Sequence, residues 1–237
     1  MTKSVDSCRF LSHIVSAVLT AAMGKFAQVG VTHFQYFAVV VIMLFTSFML
    51  YPGRRRMDSS STTVAMVHLG AFTANYGAQL WVTLVAGFTM FYNLPRHMFG
   101  QVQSRLFPMF FLWSLVTSAI SIATYVTLHP FESWDHSNVI QGCCMFINFI
   151  VGAVNSLIIA PIIVKNMVAA FDIEVAAGLR DVIGYANFKQ MKEQNPEYAA
   201  CYKLFRRGHG VSVSLTMLSI VTNTVLLYYV ASQCVPV

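Results

Sequence analysis

Long stretches of apolar residues alternate with short polar connectors along most of this chain. A helix needs about 20 residues to cross the hydrocarbon core of a bilayer. The clearest stretches of at least that length are residues 64–92, 106–128, 139–164 and 211–232. This pattern predicts an all-α integral membrane protein whose core, residues 64–232, is a four-span helical bundle.

A further apolar stretch lies in the N-terminal extension, residues 1–63. Residues 33–51 are long enough for an uncleaved span, so we expect at least one extra N-terminal helix. The run 10–24 is shorter and contains polar residues. It fits an interfacial helix, half of a hairpin with 33–51, or part of a targeting segment. A cleavable leader ending near the serines at 59–61 is a less favoured alternative.

The charges of the connectors predict an orientation. The connector 129–138 has two acidic residues and no Lys or Arg, whereas 93–105 and 165–208 are basic. By the positive-inside rule, the two basic connectors face the cytoplasm and 129–138 faces away from it. The three arginines at 54–56 would then lie on the non-cytoplasmic side, in conflict with the same rule. The orientation therefore stays open.

Composition supports a membrane protein. The 237 residues are 57% hydrophobic and 10% charged, whereas a soluble domain has about 25% charged residues. The net charge of +6 comes from Lys and Arg that lie mostly between apolar stretches, where they meet anionic lipid. The sequence has no basic patch typical of a nucleic-acid interface. We therefore expect the lipid bilayer as partner, and no nucleic acid.

The connector 165–208 has an amphipathic pattern. Apolar residues recur at helical spacing at Val168, Phe171, Val175, Leu179 and Ile183. This spacing predicts that the third span continues as an amphipathic helix on the cytoplasmic side. A second short helix is predicted from about 196 to 207, with a turn at 208–210 that leads into the last span.

Polar side chains share one face of each predicted span. Residues four or seven positions apart fall on the same side of a helix. Because lipid cannot satisfy polar groups, these faces should point into the bundle and form a polar seam. The candidate seam residues are His68, Asn75, Gln79, Thr83, Asn148, Asn155 and Asn223.

Two interpretations of this seam stay open. Ser, Thr, Asn and Gln between membrane helices commonly hold the helices together. The carboxamides of Asn75, Gln79 and Asn155 would also suit a path or binding site for a small solute or ion. No Asp or Glu lies within a predicted core span, which argues against proton-coupled transport.

The connector 93–105 supplies candidates for a cytoplasmic rim. Arg96 and Arg105 flank it, and they fit either topology anchors that contact lipid headgroups or a cationic mouth that attracts an anion. Neighbouring residues and one histidine from the last connector add hydrogen-bonding groups. The candidate rim residues are Arg96, His97, Gln101, Gln103, Arg105 and His209.

The sequence lacks the usual patterns of metal and catalytic sites. Its five cysteines show no C-x-x-C or Cys/His zinc spacing. His68 and His209 lie near span ends and fit hydrogen-bonded anchors better than metal or haem ligands. No G-x-S-x-G or H-E-x-x-H motif occurs. We therefore expect no enzyme, no catalytic residue, no metal and no cofactor.

Several strings of residues match one known membrane-protein family. They include Gln79-Leu80-Trp81-Val82-Thr83, Leu94-Pro95-Arg96-His97, Leu106-Phe107-Pro108, Val154-Asn155 and His209-Gly210. Through these strings residues 64–232 resemble the transmembrane protein 205 family, a domain of unknown function. The resemblance implies a four-span membrane protein with no assigned enzymatic mechanism. Residues 1–63 lie outside it.

We hypothesise that this multi-pass membrane protein binds or moves a small solute or ion along the polar seam, gated by the connector 93–105. The alternative is a non-transporting scaffold or trafficking partner that docks other membrane proteins through the amphipathic region 165–208. In that case the seam serves only to join the helices. A weaker alternative is a haem or quinone redox subunit.

Overall fold

The computed structural model describes residues 33–50, 62–179, 182–183 and 188–234. These residues are helical almost throughout, and their β-structure is limited to one isolated antiparallel bridge between Pro95 and Ile183. The predicted all-α class is therefore confirmed. The run 10–24 and the arginines at 54–56 lie outside the described residues.

The helices follow one another with short breaks. In chain order they are α1 (His33–Leu50), α2 (Thr62–Leu80), α3 (Gly87–Asn93), α4 (Arg96–Leu128), α5 (His136–Val154), α6 (Ala160–Ala176), α7 (Lys189–Gln194) and α8 (Pro196–Cys234). A wide π-helical turn, Trp81–Ala86, joins α2 to α3, and a second one, Asn155–Ile159, joins α5 to α6.

Three helical segments of the described chain are long and apolar enough to cross a membrane, namely Arg96–Leu128, His136–Ala176 and Pro196–Ser232. The helix α1 holds a shorter apolar stretch, Tyr36–Phe48. The first predicted core span, 64–92, is not among the three. Polar residues such as His68, Asn75 and Gln79 reduce its mean hydropathy. The structure supports an integral membrane protein, but the predicted count of four spans is not confirmed.

Two segments predicted as connectors or turns are helical. Most of 93–105 is the start of α4, which begins at Arg96. The turn predicted at 208–210 is wrong, because α8 continues through it. Gly208 has a different role: a Cβ there would lie 3.0 Å from the Cγ1 of Ile163. The glycine lets α8 approach α6 closely instead of ending the helix.

The amphipathic helix in 165–208 is shorter than predicted and buries a different face. The helix α6 ends at Ala176, and Gly178 has a φ of +79°, so Leu179 and Ile183 lie beyond it. Its buried residues in this part are Met167, Ala170 and Glu174. The buried face is thus displaced by one position from the predicted stripe.

Both π-helical turns have local causes. Pro161 has no backbone N–H, so the regular hydrogen-bond ladder cannot continue through it. The N–H of Ala160 instead donates to the carbonyl of Asn155, five residues earlier. At the first turn the N–H of Gly87 donates to the carbonyl of Val82, and a Cβ at Gly87 would lie 3.1 Å from that oxygen.

The hydrophobic core lies around α4, which contacts α1, α2 and α5. Leu115 is fully buried at its centre, together with Phe72 of α2 and Phe149 of α5. A Cβ at Gly152 would lie 3.3 Å from the backbone N and Cα of Leu115. The absence of a side chain at Gly152 therefore sets the close approach of α4 and α5.

Replacing Gly152 should separate these two helices. We expect Gly152→Val to destabilise the bundle by about 1–3 kcal/mol, because the added methyl groups meet backbone atoms that cannot rotate away. Gly77→Val is the matched control, since nothing lies within 4 Å of a Cβ at Gly77. The apparent Tm of both variants in detergent, followed by tryptophan fluorescence, measures the effect. Equal Tm values would contradict the close packing at Gly152.

Candidate functional site

Four buried side chains at the centre of the bundle close a ring of hydrogen bonds, here called the amide ring. Gln79 Nε2 donates to Ser219 Oγ at 2.8 Å, and Ser219 Oγ donates to Asn148 Oδ1. Asn148 Nδ2 donates to Asn223 Oδ1 at 3.0 Å, and Asn223 Nδ2 donates to Gln79 Oε1 at 2.9 Å. The amide ring thus joins α2, α5 and α8.

Asn75 extends the amide ring to α4. Its Oδ1 accepts a hydrogen bond from Gln79 Nε2 at 2.9 Å, and its Nδ2 donates to Ser118 Oγ at 2.8 Å. The two amide hydrogens of Gln79 therefore go to Ser219 and Asn75. The four helices are held together by polar groups that satisfy one another, as expected where lipid offers no partners.

The side of the amide ring nearer His68 holds only a small cavity. It has a volume of about 20 Å³ and is lined by polar side chains that include His68, Asn75, Gln141 and Asn148. A polar space of this size holds about one water molecule. The ring of His68 is fixed nearby, with Nδ1 3.0 Å from Thr124 Oγ1.

Asn155 differs from the other seam residues. It is completely buried, and neither its Nδ2 nor its Oδ1 has a hydrogen-bond partner within the described part of the chain. The same holds for the hydroxyl of its neighbour Ser156. Leaving such a buried group unpaired costs about 1–3 kcal/mol. Asn155 is therefore the exception in a seam whose other carboxamides are paired.

A much larger cavity lies on the other side of the amide ring, between α3, α4, α6 and α8. Its volume is about 660 Å³. Most of its wall is apolar, and aromatic rings from each of these four helices contribute to it. These rings include Phe88, Phe91, Phe107, Phe110, Phe171 and Phe205.

The polar groups of this cavity are unevenly distributed. Arg96, Gln103, Arg206 and His209 line it towards the N-terminal ends of α4 and α8. Towards the amide ring it is lined by Thr83, Ser212 and Thr216. None of its described lining residues is Asp or Glu.

The predicted rim residues divide into three groups. Arg96, Gln103 and His209 line the large cavity, as does Thr83 of the predicted seam. His97 is buried behind the wall, with its ring in edge-on contact with Phe171 at 4.7 Å between centroids. Gln101 and Arg105 are exposed and are not part of the described lining.

A second polar cluster, centred on Glu174 and here called the carboxylate cluster, joins α4, α6 and α8. Glu174 is fully buried, and Arg96 donates to both of its oxygens, from Nη2 at 2.9 Å and from Nε at 3.2 Å. Tyr198 Oη donates to Oε1 at 2.7 Å, and His97 Nε2 lies 3.0 Å from Oε2. A bidentate ion pair of this kind fixes both side chains.

Aromatic rings and a backbone bond complete the carboxylate cluster. The guanidinium carbon of Arg96 lies 5.2–5.6 Å from the ring centroids of Phe171, Phe188 and Tyr202. The backbone N–H of Arg96 donates to the carbonyl of Val182 at 2.7 Å, which satisfies an N–H at the start of α4. Arg96 therefore has a structural role as well as a place in the cavity wall.

Glu174 is the main residue that the sequence analysis did not single out. It lies outside the predicted core spans, in a region expected to be a solvated amphipathic surface. Its spacing from Met167, Ala170 and Phe171 by seven, four and three residues was the available signal, because it places a carboxylate on an apolar helix face. In the described ranges no three His, Cys, Asp or Glu side chains come together as metal ligands.

Comparison with known proteins identifies sequences to which this chain is similar. Residues 70–172 match a family described as a domain of unknown function, DUF4149. The chain is 33% identical to Transmembrane protein 205 of Danio rerio over 172 residues, which cover 71% of this chain and 92% of that protein. No solved structure matches the chain.

The amide ring can be tested by a double-mutant cycle. Gln79→Leu should destabilise the protein by about 1–3 kcal/mol, because it removes partners from Asn223, Ser219 and Asn75. Combined with Asn223→Leu it should cost less than the sum of the single losses, by about 0.5–1 kcal/mol. Unfolding in mixed micelles measures these energies. Strictly additive losses would contradict a shared network.

The carboxylate cluster predicts that replacing the carboxylate of Glu174 by an amide strongly destabilises the protein. Glu174→Gln should destabilise the protein by about 3–5 kcal/mol, because Arg96 loses its counter-ion in a buried site. Glu193→Gln is the matched control and should have little effect, since Glu193 and Lys189 form an exposed pair at 4.0 Å. The same unfolding assay measures both. A Glu174 variant as stable as the control would mean that the cluster does not hold α4, α6 and α8 together.

Proposed function

The chain belongs to the transmembrane protein 205 family, and we propose that this membrane protein binds an amphipathic molecule with an acidic group. The binding site is the cavity between α3, α4, α6 and α8. Its volume of about 660 Å³ and its largely apolar wall, rich in aromatic rings, carry the proposal. Cavities of about 300–1,000 Å³ with a few polar groups are typical of small-molecule sites.

The charges around the cavity favour an acidic ligand. The described lining contributes the cations Arg96 and Arg206 and no carboxylate. The charge of Arg96 is balanced by Glu174 behind the wall, and its guanidinium is oriented towards that partner. Arg206, with His209 one turn away on α8, also lines the cavity, and a guanidinium is suited to bind a ligand's carboxylate or phosphate.

Binding is better supported than passage through the bundle. The amide ring separates the large cavity from the small one near His68, and its groups are engaged with one another. Moving a solute or ion along the whole seam would require several of these bonds to break together. We therefore propose a binding protein without enzymatic activity, and transport only as a second possibility that needs an opening of the ring.

The proposal includes a four-span core over 64–232, with α1 as part of the N-terminal extension. In addition to the three helices that are apolar enough to cross a membrane, the segment 62–93 is also a span. Its hydropathy is lower because of polar residues such as Asn75 and Gln79, and these point into the bundle and not towards lipid. The scaffold alternative has less support. Its docking region would include Phe171, Glu174 and Tyr198. These residues contact other parts of the same chain in the carboxylate cluster and are therefore not available to a docking partner.

A fluorescent fatty acid tests the proposed site. Pyrenedecanoate should bind the purified protein, with pyrene emission rising as the ring enters the aromatic cavity. Arg206→Gln should weaken binding about tenfold, which corresponds to about 1.4 kcal/mol. Gly210→Leu should also weaken it, because Gly210 lines the cavity and nothing lies within 4 Å of a Cβ there. The leucine would fill the cavity without a clash.

Two variants serve as controls for this titration. Arg105→Gln removes an exposed arginine outside the cavity, and Gly77→Leu adds the same side chain to an open helix surface elsewhere. Both should bind pyrenedecanoate as the unmodified protein does. If the probe does not bind, or if all four variants bind it equally, the proposed site is wrong.

A further inference from the structure

The large cavity is open along one side in the described part of the chain. Its inner wall includes the buried residues Phe110 and Phe111 of α4 and Met167 of α6. Its two margins are formed by α3 with the π-helical turn before it, and by α8. Residues of both margins line the cavity and also lie on the outer surface of the protein. The cavity is therefore a groove that opens sideways between α3 and α8.

Exposed apolar residues form both margins of the groove. On one side they recur every four residues, at Leu84, Phe88 and Tyr92, and each of these is more than half exposed. On α8 they are Val213 and Met217, one turn apart. All five line the cavity. Because α8 is one of the helices that are apolar enough to cross a membrane, this open side meets lipid chains and not water.

We propose that the acidic amphipathic ligand is a single-chain lipid that enters the groove sideways from one leaflet of the bilayer. This inference rests on the proposed function, because it names the ligand class and the entry route of the same cavity. Along this route the chain stays in an apolar environment throughout. Entry from water would require the chain to leave the membrane first, which is unfavourable by about 0.8 kcal/mol for each CH₂ group.

Hydrogen bonds between α2 and α8 set the register of the two margins. Tyr76 Oη lies 2.9 Å from Thr224 Oγ1, and Gln79 donates to Ser219. Residue numbers therefore rise along one segment as they fall along the other. Continued through the π-helical turn, this register brings Tyr92 to about the level of Arg206. The two margins thus run side by side over the length of the groove.

The polarity of the groove changes along its length as it does in a leaflet. At one end the lining includes Arg206 and His209 of α8 and Tyr92 of α3. Arg and Tyr are typical of the membrane interface, where their polar ends stay hydrated. At the other end the margins are apolar, with Leu84 and Met217. A lipid in the groove would keep the orientation that it has in the bilayer, with its acidic group at Arg206.

The groove is about as long as one leaflet is thick. Arg206 and Met217 lie eleven positions apart on α8, roughly 16 Å at 1.5 Å per residue. The hydrocarbon core of a bilayer is about 30 Å thick, so one leaflet contributes about 15 Å. An extended chain covers about 3.5 Å for every three bonds, so a chain of about 12–14 carbons spans the groove.

The size of the groove favours one chain. Its volume of about 660 Å³ lies in the range of sites for drug-sized molecules, which fits a single chain and not the two chains of a phospholipid. Leaving lipid for an apolar wall gains no hydrophobic energy, because lipid tails are equally apolar. Selection among membrane lipids must then come from the ion pair at Arg206 and from packing against the aromatic rings.

A photoreactive fatty acid tests this route in a bilayer. The purified protein is reconstituted in phosphatidylcholine vesicles that contain a trace of dodecanoic acid with a diazirine on its chain, and is then irradiated. Mass spectrometry should find labels on the inner wall, in the peptide that contains Phe107, Phe110 and Phe111. Dodecanoate added to the vesicles should compete with the label. Butyrate, an acid that stays in water, should not compete.

Two double variants of α8 test the open side of the groove. Val213→Trp with Met217→Trp narrows it and should reduce labelling of the inner wall about fivefold, equivalent to about 1 kcal/mol of binding energy. Leu218→Trp with Val221→Trp is the matched control, because it adds the same side chains at exposed positions outside the described lining. It should be labelled as the unmodified protein is. If the first variant does not fold, Gly210→Leu at the same margin replaces it.

The outcomes separate the entry route from the proposed function. Equal labelling of the inner wall in the two double variants, or competition by butyrate as strong as by dodecanoate, would overturn entry from the bilayer. Labels confined to the outer surface would also overturn it, and the proposed function would stand if pyrenedecanoate still binds the protein in detergent. If pyrenedecanoate does not bind there either, the proposed function fails, and this inference with it.

Discussion

The structure depends on one constraint, that polar groups inside a membrane bundle must find their partners within the protein. Lipid offers no hydrogen bonds, so each amide and hydroxyl on an inward face needs a neighbour. The amide ring meets this need in the middle of the bundle, and the carboxylate cluster meets it where α4, α6 and α8 come together. The helices are therefore held in position by two polar anchors as well as by apolar packing around Leu115.

The position of these two anchors explains the cavity between them. Arg96 and Phe171 belong to the carboxylate cluster and also line the cavity, while Thr83 and Thr216 line it one turn from the amide ring. Because the helices are fixed at the amide ring and at the carboxylate cluster, they need not pack tightly between these two sites. The aromatic rings in that region leave open space. A ligand that moved Arg96 would disturb the ion pair with Glu174. Binding at this wall would thus be coupled to the relative positions of α4 and α6.

Much of this arrangement could be predicted from the sequence, because it follows helical periodicity. Asn75, Gln79, Asn148 and Asn223 recur at intervals that place them on inward faces, and all four are buried. Contacts between distant segments could not be predicted in this way. Glu174 looked like a surface residue because its partners, Arg96 and Tyr198, lie far away in sequence. Gly208 and Gly210 suggested a turn, since composition does not distinguish a glycine that ends a helix from one that allows close packing.

Polar residues of the same type in the seam differ in whether their side-chain groups are paired. Identical carboxamides occur at Asn148 and Asn155, two turns apart on one helix face, so their residue type and periodicity do not distinguish them. Asn148 bonds to Ser219, Thr222 and Asn223, whereas Asn155 bonds to none of the described residues through its side chain. An unpaired buried amide destabilises the folded protein, whereas a paired one helps to hold the helices together. The asymmetry between these two asparagines therefore shows that contacts with distant segments, and not residue type, decide whether a seam residue joins helices.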